Sequence, residues 1–158
     1  MFAAFYAGLR ELDTVVIESL AAVGGQVANL YPQKSILDIA GFVGTNGREL
    51  IANLQTQMQQ FETDVRLNTT VLDVRPEGTG FIVHTSQEDI WTKGVIVATG
   101  KGAFEPRRLA PALEGDLADA GINYFLNELE HFRDKRVLVA GGGDSAVDMA
   151  TLLNTVAS

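Results

Sequence analysis

Residues 136–153, "RVLVAGGGDSAVDMATLL", carry the clearest chemistry in the chain. An apolar run, three glycines and an apolar stretch at helical spacing read as strand, loop and helix. Glycines let backbone come close to an anionic ligand, and a helix start presents unpaired N–H groups at the positive end of its dipole. Asp144 and Ser145 give that helix a polar start. The arrangement is half of a unit that grips a dinucleotide pyrophosphate. Three glycines alone could equally be a flexible turn; the flanking strand and helix favour the nucleotide reading.

The complete unit has a second requirement. Roughly 20 residues after the glycine loop, at the end of the next strand, an acid reads the ribose hydroxyls. Counting forward from Gly141 passes the last residue, Ser158. Counting back from Glu18, the acid closing the apolar run "TVVIE", passes Met1. The chain therefore reads as a window cut from a larger two-dinucleotide protein, a first unit without its glycine loop and a second without its ribose-reading residue. Taken alone, a strand-end glutamate is usually a solvated charge, and Glu18 keeps that alternative.

These residues need a scaffold, and the pattern supplies one. Residues 2–12 suit a helix and residues 14–18 a strand. The segment "SLAAVGGQVANLYPQKSILDIAGF" shows no clean period and reads as loop with short turns. From Asn46 to Phe61 the apolar residues Leu50, Ile51, Leu54, Met58 and Phe61 recur at helical spacing, with Thr45 or Asn46 as N-cap. "PEGTG" between two strand-like runs predicts a hairpin of 70–75 with 81–85, and 90–92 adds a third strand. "GVIVATG", residues 94–100, is continuously apolar, as in a parallel strand buried on both faces. Two prolines and no period over residues 101–121 read as a linker, and "NELEHF" as helix-like. His84 and His131 lie far apart, without acids at ligand spacing, and read as ordinary surface or turn residues with no metal site.

Composition narrows the classes. The chain has 158 residues, about one domain's worth, with 46% hydrophobic and 20% charged residues. A net charge of −8 argues against nucleic acid. The sequence holds no apolar run of roughly 18 residues to span a membrane, and "MFAAFYAGLRELD" does not look like a signal peptide. With 0 cysteines there is no disulfide framework, thiolate metal site or dithiol couple, which fits a cytoplasmic location without establishing it.

Together "VVIES-x(4)-GGQ", "YPQKSILDIAGF", "IVATGKGAFEPRRL" and "AGGGDSAVD" resemble the ferredoxin–NADP⁺ reductases of the thioredoxin-reductase-like type, in order and over essentially the whole chain. The resemblance implies an α/β fold of Rossmann-like FAD- and NAD(P)-binding domains, each a parallel sheet with helices, plus a small antiparallel meander, both domains incomplete here. It assigns residues 1–106 to the FAD-binding domain and 107–158 to the start of the NADPH-binding domain. It further implies a flavoenzyme passing electrons between NADPH and ferredoxin, or a similar one-electron carrier, through FAD, homodimeric at full length and without nucleic-acid or membrane partners. By position, Glu18 would bind the FAD adenosine ribose, and Gly25 and Gln26 would lie beside the diphosphate and ribityl chain. Tyr31 would stack on the isoalloxazine, although a tyrosine packed in a proline turn reads the same in sequence. Asp38 would lie near the flavin ring, Val71 would offer its backbone to the adenine, and Thr99 and Gly100 would pass close to FAD. Gly141, Gly143, Asp144, Ser145 and Ala146 would cradle the NADPH pyrophosphate. No catalytic acid or base stands out. The family's first glycine loop, its 2′-phosphate-binding arginines and its C-terminal flavin segment have no counterpart in these residues.

Two rivals remain. A dithiol reductase of the thioredoxin reductase type needs Cys-x-x-Cys ahead of the glycine loop, where this chain reads "NYFLNELEHFRDK". That chemistry fails, although a related flavoprotein with another acceptor does not. The other rival is an inactive, non-enzymatic fragment. On this reading the 158 residues alone should not be a competent reductase.

Overall fold

The first half contains two short parallel strands. β1 (Val15–Ile17) pairs with β4 (Asp64–Arg66), with Val15 opposite Asp64 and Ile17 opposite Arg66. A parallel pair needs a long crossover, and here it contains α2 (Gly25–Leu30), β2 (Ser35–Ile36), β3 (Thr45–Asn46) and α3 (Gly47–Met58). The computed structural model describes residues 1–30, 32–102, 108–109, 121–124, 126 and 128–158. It divides into two compact units, Met1–Glu105 and Pro106–Ser158.

In the first unit, α1 (Phe2–Gly8) packs on α3. Gly8 lets α1 close on the chain just past α3: a Cβ there would stand 2.4 Å from Cγ of Phe61, whose ring lies 5.6 Å from that of Phe5. α3 starts where the sequence predicts. Asn46 accepts from the Glu49 N–H at 2.9 Å while Glu49 Oε2 accepts from the Asn46 N–H at 3.3 Å, a reciprocal capping box. Met58, at its far end, is among the most buried side chains of the unit. The predicted hairpin and third strand are present as the antiparallel order β5 (Val71–Glu77), β6 (Gly80–Thr85), β7 (Asp89–Thr92). Asp73 stands opposite His84 and His84 opposite Asp89.

Three expectations need correction. Residues 25–30, read as loop, form α2; a six-residue helix opened by two glycines is too short to show a period. Residues 94–100, read as a buried strand, form no strand, and Ile96 and Val97 are 74% and 77% exposed. Residues 136–140 behave alike, with Leu138 91% exposed. A continuous apolar run signals a buried parallel strand only where neighbours hydrogen-bond at its edges and helices cover its faces. Among the described residues no strand pairs with either run. Most of the predicted linker, 101–121, lies outside the described residues.

The second unit contains a 3₁₀ turn (Leu129–Phe132) and α4 (Asp144–Leu153). The Asp134 N–H donates to Val156 O at 2.9 Å and the Ser158 N–H to Lys135 O at 3.1 Å, tying the end of the chain to the segment before the glycines. Leu126 and Leu153 are its buried apolar side chains among the described residues. No described helix is long and apolar enough to cross a membrane.

Candidate functional site

Glu18 follows the last residue of β1, and the backbone ladder carries on through it. Its N–H donates to Arg66 O at 2.9 Å, and its carbonyl accepts from the Thr69 N–H at 3.0 Å. The carboxylate folds back on the next turn, where Oε1 accepts from the Leu20 N–H at 3.0 Å and the Ser19 hydroxyl at 3.3 Å. Oε2 has no partner among the described residues, so a half-buried acid is fixed at a strand end with one oxygen open. Thr69 stands two residues before Val71, so the structure brings Glu18 and the Val71 segment together.

Val71 begins β5, the outer strand of the meander, opposite Thr85. The Ser86 N–H donates to Thr70 O at 2.9 Å. With that bond and that register, Val71 occupies a non-hydrogen-bonded pair, so its own N–H and C=O turn away from β6. One residue thus offers a donor and an acceptor side by side at a sheet edge.

Gly24 and Gly25 open α2 with φ of +117° and +52°, in the region that favours glycine. A Cβ on Gly24 would lie 2.7 Å from Ala28 Cβ and 2.9 Å from Ile51 Cγ2, so this glycine lets the helix start close on α3. Gln26 Nε2 is buried with no hydrogen-bond partner among the described residues. An unused buried donor costs about 1–3 kcal/mol, so a ligand group that accepts from it fits the site. Asp38 is exposed in the segment between β2 and β3, whose pairing sets Ser35 opposite Asn46 and Ile36 opposite Thr45. Thr99 and Gly100 form an exposed turn in which the Gly102 N–H donates to Thr99 O at 3.0 Å. Tyr31 lies outside the described residues.

In the second unit, Gly143 is the N-cap of α4 and no side chain caps the helix. The Ala146 N–H is taken by Gly143 O at 2.9 Å. The N–H groups of Asp144 and Ser145, the first two of the helix, precede any intrahelical acceptor. A Cβ on Gly141 would come within 3.0 Å of Ala146 Cβ, so the loop folds tightly over the first turn. Asp144 and Ser145 thus form the polar helix start the sequence predicts, with their backbone N–H groups uncapped by any described side chain. The Asp144 carboxylate sits in the first turn, where the helix dipole favours it.

Sequence reasoning missed the supports of the Val71 edge. Arg66 donates from Nε to Asp64 at 2.8 Å and pairs with Glu88 in the β6–β7 turn. The hydrogen bond to Asp64 is the main influence raising its pKa. On the meander face, Arg75 donates to Asp73 at 2.6 Å, and with the Val74 N–H it holds that carboxyl below the usual carboxylate range. His84, read as partnerless, has Nδ1 2.8 Å from Oδ1 of Asp89 directly across the strands. Five residues apart in sequence, they meet only because the hairpin brings them opposite. A cavity of about 430 Å³ between residues 21–23, the end of α3 and β4 contains none of the sequence-predicted site residues.

Residues 33–157 match the family model described as pyridine nucleotide-disulphide oxidoreductase. A ferredoxin–NADP reductase from Leuconostoc citreum is 50% identical over 100% of this chain and 47% of its own length. Ferredoxin–NADP reductase 2 from Latilactobacillus sakei is 49% identical over 99% of this chain and 48% of its own. The chain spans about half the length of the curated relatives it matches. Among solved structures, Lactococcus lactis thioredoxin reductase in its FR conformation superposes with a TM-score of 0.74 at 25% identity, over 98% of this chain and 49% of that one. The bacillithiol disulfide reductase of Staphylococcus aureus shares the fold at a TM-score of 0.68 and 20% identity. With its Rossmann-like α/β elements, parallel strand pair and meander, the chain belongs to the pyridine nucleotide-disulphide oxidoreductase family.

Proposed function

We propose that this chain supplies the cofactor-gripping parts of a flavin-dependent oxidoreductase that passes electrons between NADPH and ferredoxin, or a similar one-electron carrier, through FAD. The observation that carries the reading is the corner where Glu18 and the Val71 edge meet. An acid for a ribose hydroxyl and a donor–acceptor pair for a purine edge are joined there by a single backbone bond, Thr69 N–H to Glu18 O. Gln26, with its unused amide donor, fits the diphosphate or ribityl hydroxyls, and Gly25 leaves open space beside it. Asp38, Thr99, Gly100 and Tyr31 join the FAD site on resemblance. The open N–H groups of Asp144 and Ser145, with Gly141, Gly143 and Ala146, suit the NADPH pyrophosphate.

When bound, FAD converts the two-electron chemistry of a nicotinamide into one-electron steps, and the protein's part is binding, orientation and electrostatics. The ferredoxin acceptor is favoured by the names of relatives near 50% identity and by the 0 cysteines of this chain, which leave it no dithiol to relay electrons. A cytoplasmic homodimer follows from resemblance alone. Because the chain spans about half of those relatives, we place activity in a protein of their full length and expect the 158 residues alone to be inactive.

The test is a flavin spectrum and steady-state turnover at the relatives' full length. The proposal expects stoichiometric FAD, NADPH-dependent ferredoxin reduction and no thioredoxin reduction. Colourless protein, or thioredoxin turnover without ferredoxin turnover, overturns it.

A further inference from the structure

The two sides of the Val71 edge are built differently. Beyond Val71 the β5–β6 register shifts, with a bulge between Val71 and Asp73, and a bulge interrupts the ladder and re-aims the strand. Before the bulge, the direction of Val71 is fixed at Thr70. There Ser86 makes two bonds to one residue: its N–H donates to Thr70 O at 2.9 Å, and its hydroxyl accepts from the Thr70 N–H at 3.0 Å. With both backbone groups of Thr70 committed to Ser86, those of Val71 are turned to the open edge.

Ser86 is itself braced. Buried Thr85 accepts at Oγ1 from the Gln87 and Glu88 N–H groups at 3.1 and 3.0 Å and donates to Glu88 O at 2.6 Å, closing the turn on itself. Glu88 is gripped by Arg66 of β4, which also binds Asp64. Just past Arg66, the Asn68 N–H donates to Leu20 O and the Thr69 N–H to Glu18 O, both at 3.0 Å. The meander turn is thus tied to the end of β4, which pairs with the end of β1 that presents Glu18.

We propose that Ser86 is a positioning residue for adenine recognition, its hydroxyl holding Thr70 so that the Val71 N–H and C=O face a purine's acceptor–donor edge. This rests on the reading of Val71 as the adenine contact. The hydroxyl touches no ligand; it acts through Thr70.

Ligand fragments separate this role from general stability. With flavin-free protein at the relatives' full length, affinities for FAD, ADP and FMN are measured for wild type, Ser86→Ala and Ser86→Thr, together with the unfolding midpoint. Losing one neutral hydrogen bond to a backbone N–H should weaken FAD and ADP binding roughly fivefold, while FMN, which lacks adenine, binds as before. Ser86→Thr keeps a hydroxyl and should restore ADP affinity. If Ser86→Ala fails to fold, Glu88→Gln, which loosens the turn and leaves the Thr70 bonds in place, should weaken ADP selectively and to a smaller degree. Unchanged ADP affinity, or ADP and FMN falling together, overturns the role of Ser86. Wild-type protein that binds FMN as tightly as FAD and takes no ADP overturns the adenine reading of Val71 beneath it.

Discussion

Gly24 and Gly25 are adjacent, both have positive φ, and they should respond very differently to alanine. At Gly25, φ +52°, a Cβ would meet nothing within 4 Å beyond its own local backbone, so Gly25→Ala incurs only the left-handed backbone cost of about 1–2 kcal/mol. At Gly24, φ is +117° and the new Cβ would stand 2.7 Å from Ala28 Cβ and 2.9 Å from Ile51 Cγ2. Neither is a flexible side-chain end: one is the Cβ of α2 itself, the other a branched residue within α3. Overpacking of this kind adds about 1–3 kcal/mol. The smaller entropy of unfolded alanine returns about 0.4–1 kcal/mol in both variants. The net expectation is a Gly24→Ala loss exceeding that of Gly25→Ala by about 1–3 kcal/mol, a large share of a typical 5–15 kcal/mol. Urea unfolding followed by circular dichroism at the relatives' full length measures both, with equal m-values required so that midpoints can be compared. Because α2 carries Gln26, Gly24→Ala should also release FAD faster. Equal losses in the two variants would refute the close approach of α2 and α3 at this glycine.

Asn46→Ala removes the capping-box acceptor of α3 and should cost about 1 kcal/mol, whereas Asn46→Asp should cost little; denaturant titration of both checks the cap. In Gly80→Ala the new Cβ would meet Thr92 O, a backbone atom, at 2.4 Å and the Trp91 ring at 2.9 Å. β6 and β7 would have to separate, and the emission of Trp91, the chain's 1 tryptophan, should shift to longer wavelength; an unchanged spectrum counts against the register. Asp73 is held below the usual range chiefly by Arg75, and Glu130 by Arg133. A depressed folded pKa gives stability that is present above the unfolded value and lost as pH falls through the folded one. Acid titration below about pH 4 should therefore show a loss of stability that Asp73→Asn and Glu130→Gln each reduce, the effects being small at exposed positions.

Features that depend on neighbours in sequence were legible without a structure. The α3 start needs only an asparagine three residues before a glutamate and an apolar stripe at helical spacing. The hairpin needs only two β-rich runs around "PEGTG", and Glu18 needs only its place at the end of an apolar strand. The glycine run leading into a helix at Asp144 was likewise legible, though the strand expected before it was not, and the motif resemblance named the family. What the sequence could not carry was anything set by a distant partner. Residues 94–100 and 136–140 have a buried strand's composition, but strand status depends on hydrogen-bonding neighbours, which no local pattern records. α2 was hidden because six residues after two glycines are too few for a period to emerge. The outward turn of Val71 comes from its register against Thr85 and from the bonds between Ser86 and Thr70, 16 residues apart. The unused amide of Gln26 exists only because packing removed it from water without supplying an acceptor. Composition and spacing specify which groups are available; only the folded chain decides which of them are left unpaired, and unpaired groups are what a cofactor can bind.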